Sequence, residues 1–214
     1  MSRDVDFLIV GGGIAAGSAA SALRARGAEG SIVLVGREAD PPYDRPPLSK
    51  GYLAGTESRE DATFEIPDGV EVLTRTSVMK LDAAERVARL STKEEVAFDK
   101  ALLATGANVR RLRVEGSDLD GIHYLRAFGN ADAIRSDAED AERVVLVGGS
   151  YIGCEVAATL TGLGKRCTIL MQEAVPLEHH FGSEVGRFIA RILDEHGVEL
   201  VGSDELERFG VMGG

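Results

Sequence analysis

Two glycine-rich strings in this chain of 214 residues have the spacing that cradles phosphate. Gly11-Gly12-Gly13-Ile14-Ala15-Ala16 follows the apolar run Phe7-Leu8-Ile9-Val10 and opens an Ala-rich amphipathic stretch, so G-x-G-x-x-[G/A] lies between a strand and a helix. Gly11 serves the tight turn, Gly13 lets the backbone approach a pyrophosphate, and the small Ala16 lets helix and strand pack closely. An anion there meets free N–H groups at the positive end of the helix dipole. The acid expected after the second strand, to accept from a ribose, is Glu38; its neighbour Arg37 could instead meet a phosphate. A plain glycine turn in an α/β domain also fits this string taken alone.

The second string, Gly148-Gly149-Ser150-Tyr151-Ile152-Gly153, follows Arg143-Val144-Val145-Leu146-Val147. Ser150 stands where the second glycine belongs; serine is the least obstructive replacement, although its Cβ narrows the approach of a pyrophosphate. Glu173 is the only charged residue in Met171-Gln172-Glu173, which ends the following strand, and no arginine comes soon after to hold a 2′-phosphate. That pattern favours NADH over NADPH. A structural turn fits this copy too, but two copies in one chain are a stronger signal than either.

Each string sits in a strand, glycine turn, helix, strand unit. The first runs from Asp6–Val10 through a helix at 14–26 to a strand at 31–36, and the second from 143–147 through a helix at 151–163 to a strand at 166–171. Their apolar runs lack alternation, as in parallel strands buried on both faces. Between the units, runs at 70–73, 77–81, 86–90 and 95–98 alternate partly and predict a small antiparallel meander; 100–104 reads as a further buried strand. Residues 110–121 have no sustained period and predict a boundary near 107–125, giving one dinucleotide-type domain over 1–110 and a second over 111–214. A helix at 183–195 and a strand at 198–201 follow, and the chain stops abruptly at Val211-Met212-Gly213-Gly214. The fold class is α/β, with tandem Rossmann-like βαβ domains and a meander.

Composition excludes several other classes. Lys and Arg number 24 against 35 Asp and Glu, a net charge of −11, which repels a phosphate backbone and argues against nucleic-acid binding. No apolar run approaches the roughly 20 residues of a membrane span, and the N-terminus lacks the features of a secretory signal, so the cytoplasm is the expected compartment. Glycine, 26 residues or roughly 12% against a usual ~7%, is clustered rather than periodic, which excludes collagen-like and low-complexity chains. Cys154 and Cys167 lie in apolar patterns and read as buried, inert thiols; no metal-ligand spacing is present.

Pro42-Tyr43-Asp44-Arg45-Pro46-Pro47-Leu48-Ser49-Lys50, Ala104-Thr105-Gly106 and the run from Gly148 to Glu155 are the most specific strings. Together, and in this order, they resemble the FAD-dependent pyridine nucleotide oxidoreductases of the ferredoxin-reductase type, which include reductase components of Rieske oxygenases and, more distantly, the apoptosis-inducing factors. The resemblance covers essentially the whole chain. It implies that Gly11, Gly13, Ala15 and Ala16 wrap the FAD pyrophosphate and that Glu38 or Arg37 meets the adenosine end, with Val78 touching adenine through its backbone. It also implies that Lys50, in the string that carries Arg45, lies beside the isoalloxazine, that Ala104, Thr105 and Gly106 line the flavin, and that Arg126 contacts FAD. Gly148, Ser150, Tyr151, Ile152, Gly153 and Glu173 would hold NAD(P)H, and Glu155 would pair with Lys50.

A physical reading supports that last pair. A lysine beside a flavin stabilises the negative charge that hydride arrival creates, and a carboxylate from the neighbouring domain would fix the lysine. A solvated loop lysine and an ordinary first-turn acid are the plain alternatives. No cysteine precedes Cys154, so there is no thiol relay, and the resemblance implies an outside one-electron acceptor, a ferredoxin or Rieske iron–sulfur protein. Arg110, Arg111 and Arg113 fit a docking patch or, more simply, a solvated linker. Family members run to roughly twice this length. The expectation is therefore a truncated form lacking the rest of the NAD domain, a later Gly-Asp motif and a C-terminal domain. Two readings follow: an electron-transferring flavoenzyme, or a truncated, non-catalytic nucleotide-binding or interaction module.

Overall fold

The computed structural model describes residues 2–211, so Met212, Gly213 and Gly214 of the abrupt tail lie outside the described residues. In chain order the elements are β1 (Ser2–Val10), α1 (Ile14–Ala25), β2 (Ile32–Val35), a 3-10 turn (Pro46–Ser49), α2 (Gly51–Ala54), α3 (Arg59–Ala62), β3 (Val70–Leu73), β4 (Val78–Asp82), β5 (Val87–Leu90), β6 (Glu95–Leu103), α4 (Phe128–Asp140), β7 (Arg143–Val147), α5 (Tyr151–Gly162), β8 (Arg166–Leu170), α6 (Glu178–Glu195) and β9 (Glu199–Val201). They form two compact units. One holds the chain up to Asp44 together with Glu60–Asn108; the other holds Arg45–Arg59 and the chain from Val109 onward. The excursion of 45–59 departs from a linear division at 110.

In the first unit six strands lie in the order β3-β2-β1-β6-β5-β4. β1 is flanked in parallel by β2 and β6, with Val10 level with both Val35 and Leu103, so three strands end at one edge. Its central place explains its unbroken apolar run, since Leu8 and Ile9 are buried on opposite faces. Small residues at Ala16 and Ala20 bring α1 close to the sheet, where Ile9, Ile32 and Leu34 pack beneath it, and Gly17 makes room for Pro42 and Phe64. The opposite face closes through Val5, Leu8, Val10, Val33 and Val35 on Ala88, Leu90, Val96 and Phe98.

Two local expectations change here. Residues 70–73 do not belong to the meander: β3 pairs in parallel with β2, and its alternation reflects an outer strand with Glu71 exposed. Residues 95–98 and 100–104 are not separate runs but one strand, β6, continuous from Glu95 to Leu103. β5 pairs antiparallel with β6 only over Glu95–Ala97, and the far half of β6 is not buried as expected; Leu102 and Leu103 are 43% and 64% exposed.

In the second unit β7, β8 and β9 form a parallel sheet in that order. α5 packs Val156, Ala157 and Leu160 on Cys167, Ile169 and Met171, and Leu53 from α2 joins the same core. β7 is covered on one face only. Val144 and Leu146 point into this core, while Val145 and Val147 are exposed, contrary to the expected two-faced burial. α4 had no sequence reading. α6 begins at Glu178 but breaks at Gly182 (φ 78°, ψ 169°), so its regular part starts where the sequence placed the helix. Both cysteines are buried as expected, and desolvation, with the Glu155 charge, pushes the Cys154 thiol up to about 11, which leaves it protonated and unreactive at neutral pH.

Candidate functional site

The carboxyl edge of the first sheet gathers the predicted phosphate turn. Gly11 N–H donates to the Val35 carbonyl (2.9 Å) and Ala104 N–H to the Val10 carbonyl (2.7 Å), which sets the Gly11–Gly13 turn against Ala104-Thr105-Gly106. Gly11 has φ 137°, and a Cβ there would overlap the Ala104 carbonyl; this glycine is required by the fold. Gly13 differs: at φ −104° it is open to any residue, and no protein atom lies within 4 Å of where its Cβ would stand. Gly13 also caps α1 without a side-chain hydrogen bond. An open cradle before uncapped helix N–H groups fits a pyrophosphate. Ala16 is buried and packs the helix down; Ala15 is exposed in the first turn.

After β2, Arg37 and Glu38 point to different partners. Arg37 donates to Asn108 Oδ1 (2.6 Å), and the Glu38 carboxylate accepts from the buried Tyr43 hydroxyl (2.6 Å). Thr76 N–H bonds the Gly36 carbonyl (2.9 Å) and Arg75 N–H the Glu38 carbonyl (2.8 Å), so the chain crosses the end of β2 just before Val78 opens β4.

In the second unit the glycine turn keeps the same logic with its serine. Gly148 (φ 109°) bonds the Leu170 carbonyl through its N–H (2.8 Å), and a Cβ on Gly153 would overlap the Gly148 carbonyl, so Gly153 serves close helix packing. Ser150 caps α5 without a side-chain bond. Tyr151, largely exposed, meets His180 and Phe181 edge-on at 4.8 and 6.1 Å, and Ile152 is exposed beside it. Glu173 lies 3.2 Å from His179, a partner the sequence reading did not anticipate.

The excursion 45–59 brings Lys50 into the same unit as Glu155. Lys50 Nζ lies 2.7 Å from Glu155 Oε2, and Ser49 Oγ donates to the same oxygen at 2.5 Å. Burial opposes ionisation of Glu155, but the Lys50 and Ser49 hydrogen bonds and the Lys50 charge outweigh it and hold the carboxyl below its ordinary value. Nearby, the Arg45 guanidinium donates to the Arg126 carbonyl, so these two residues also meet.

Sequence reasoning missed what pins this excursion. Tyr52 OH donates to Asp132 Oδ1 (2.6 Å) on α4, Arg59 reaches Asp132 Oδ2 (2.5 Å), and the Tyr52 ring packs edge-on to Phe128 with centroids 4.7 Å apart. Burial raises the Tyr52 hydroxyl, and its bond to Asp132 adds to this. For Asp132 burial also acts upward, but the bonds from Tyr52 and Arg59 prevail and lower its carboxyl. Asp132→Ala strands the buried Tyr52 hydroxyl and is expected to destabilise the protein by about 1–2 kcal/mol, the low part of the range because Asp132 is partly exposed. Thermal unfolding at neutral pH checks this. A depressed carboxyl contributes fully above its unfolded value and loses that contribution as pH falls through the folded one, so the difference between the two proteins should shrink in acid, leaving the part due to the Tyr52 hydrogen bond.

Comparison with known proteins adds to this geometry. The family profile described as pyridine nucleotide-disulphide oxidoreductase matches residues 5–211. The chain is 35% identical over 214 residues to a probable ferredoxin reductase, CtmF, of Castellaniella defragrans, covering 97% of this chain and 52% of that one. It is 38% identical over 205 residues to the biphenyl dioxygenase system ferredoxin–NAD(+) reductase component of Paraburkholderia xenovorans, covering 94% and 50%. Among solved structures, the covalent putidaredoxin reductase–putidaredoxin complex aligns with a TM-score of 0.90 at 33% identity, over 96% of this chain and 51% of that one. The chain thus spans about half the length of the curated relatives it matches. No helix among the described residues is long and apolar enough to cross a membrane.

Proposed function

Because the chain belongs to the pyridine nucleotide-disulphide oxidoreductase family, we propose that it provides the nucleotide-binding part of a flavoprotein passing electrons from NADH to a ferredoxin or Rieske iron–sulfur protein. The observation that carries this reading is the Lys50–Glu155 pair at 2.7 Å, a cation from between the two phosphate-type turns bonded to a carboxylate two residues after the second. FAD, when bound, supplies the chemistry that accepts a hydride and gives up single electrons.

The chain's own residues bind and orient. Gly11, Gly13, Ala15 and Ala16 hold the FAD pyrophosphate at the α1 N-terminus, Glu38 or Arg37 and Val78 meet its adenosine end, and Ala104, Thr105, Gly106, Arg45, Arg126 and Lys50 serve the remainder. Gly148, Ser150, Tyr151, Ile152 and Gly153 hold NADH, with Glu173 at its ribose; NADPH is disfavoured by the absence of a nearby arginine. Glu155 holds the Lys50 ammonium in place, so that its charge is pre-oriented toward negative charge developing nearby. Cys154 and Cys167 are buried free thiols in one core, with no disulfide between them, which supports an outside electron acceptor, as do relatives named ferredoxin–NAD(+) reductase.

The second reading is a nucleotide-binding module without turnover, and it draws on the half-length span of the match. A visible spectrum of the chain after incubation with FAD, then anaerobic NADH, separates the two. A flavin spectrum that bleaches is expected; a protein that stays colourless after FAD sends the assignment to the second reading.

A further inference from the structure

Glu155 and Thr159 stand one turn apart on α5, and both reach the turn at 46–50 that carries Lys50. Thr159 Oγ1 donates to the Ser49 carbonyl at 2.7 Å, while Ser49 Oγ donates to Glu155 at 2.5 Å. We propose that these residues form a positioning relay: Thr159 fixes the Ser49 main chain, and the Ser49 hydroxyl gives the Glu155 carboxylate a donor independent of Lys50. The relay deepens the redox reading above and rests on it for its catalytic meaning.

The two donors to Glu155 differ in permanence. Lys50 has its side chain about half exposed (49%) on a flexible four-carbon stem, whereas Ser49 is buried (4%) with its backbone held. Ser49 has one hydroxyl proton and two acceptors in reach, the Pro46 carbonyl at 3.2 Å and the carboxylate at 2.5 Å. The shorter, charge-assisted bond takes the proton. The Ser49 bond favours the charged carboxylate over the acid, adding to what the Lys50 bond and charge contribute. With Ser49 in place, the carboxylate has a second, buried donor and gives Lys50 a fixed partner. The other titratable neighbour, Cys154 on the same helix, is a neutral thiol below about 11 and supplies no competing charge.

The test is the titration of the Glu155 carboxyl, followed by its 13C signal in the purified chain and assigned with Glu155→Gln. In a Lys50→Met background, Ser49→Ala should raise the midpoint by about one pH unit, roughly a tenfold gain in proton affinity. Thr159→Val should move the midpoint the same way by a smaller amount, and Thr159→Ser should restore it. An unchanged midpoint on adding Ser49→Ala overturns the relay, as does a Thr159→Val protein that titrates like its parent. If Ser49→Ala does not fold, the Thr159→Val and Thr159→Ser pair decides alone. No step needs FAD or NADH, so a chain that never bleaches flavin defeats the redox reading while the relay is judged on its own titration.

Discussion

Gly13→Val is expected to leave the fold intact and remove flavin binding. The backbone at Gly13 is extended, with φ −104° and ψ −171°, and a side chain there meets no protein atom within 4 Å, so the cost is limited to the poorer N-cap and thermal stability should stay within about 1 kcal/mol of the parent. The isopropyl group would fill the space in front of the uncapped α1 N-terminus. Blocking two backbone bonds to phosphate, each worth about 1.5 kcal/mol or more, predicts at least a ~100-fold loss of FAD affinity, read by flavin fluorescence titration. Gly11→Val is the control with the opposite outcome. Its φ of 137° and the overlap with the Ala104 carbonyl predict destabilisation of about 3 kcal/mol. Equal destabilisation by both substitutions would assign Gly13 to the fold rather than to a ligand.

The second large effect concerns Lys50. Lys50→Met keeps the aliphatic stem and removes the charge, so in FAD-loaded protein the rate of anaerobic bleaching by NADH should fall by about 100-fold or more, with FAD and NADH affinities changed little. Stopped-flow absorbance measures the rate; a loss confined to NADH affinity would make Lys50 a binding residue only. Glu155→Gln should cost less, because it loosens the lysine without removing it. The Glu155 carboxyl titrates below its ordinary value, so the rate should hold level from neutral to mildly acidic pH and decline only as pH falls through that lowered value.

Local patterns were enough to place both strand–glycine–helix–strand units, because each is written in contiguous residues: an apolar run, glycines where φ turns positive at Gly11 and Gly148, and small residues on the helix face. Lys50 and Glu155 came together on paper only through the family's motif order, since residues so far apart share no spacing signal. The same blindness hid Asp132 with Tyr52 and Thr159 with Ser49, where long-range packing decides which polar groups meet. Burial was misjudged in β6 and β7 for a related reason. Residue type reports how apolar a strand is, but whether Leu103 or Val145 is covered depends on what other elements lie against it.

The excursion of residues 45–59 makes the two units inseparable at a single junction. Recombination that moved only the chain from Val109 onward would carry Glu155 and Asp132 but leave behind Lys50, Tyr52 and Leu53. The transplanted piece would inherit an orphaned carboxylate, an unfilled hole in its core and half of a hydrogen-bonded lock. Such a unit can pass between proteins only with a second, non-adjacent stretch of sequence.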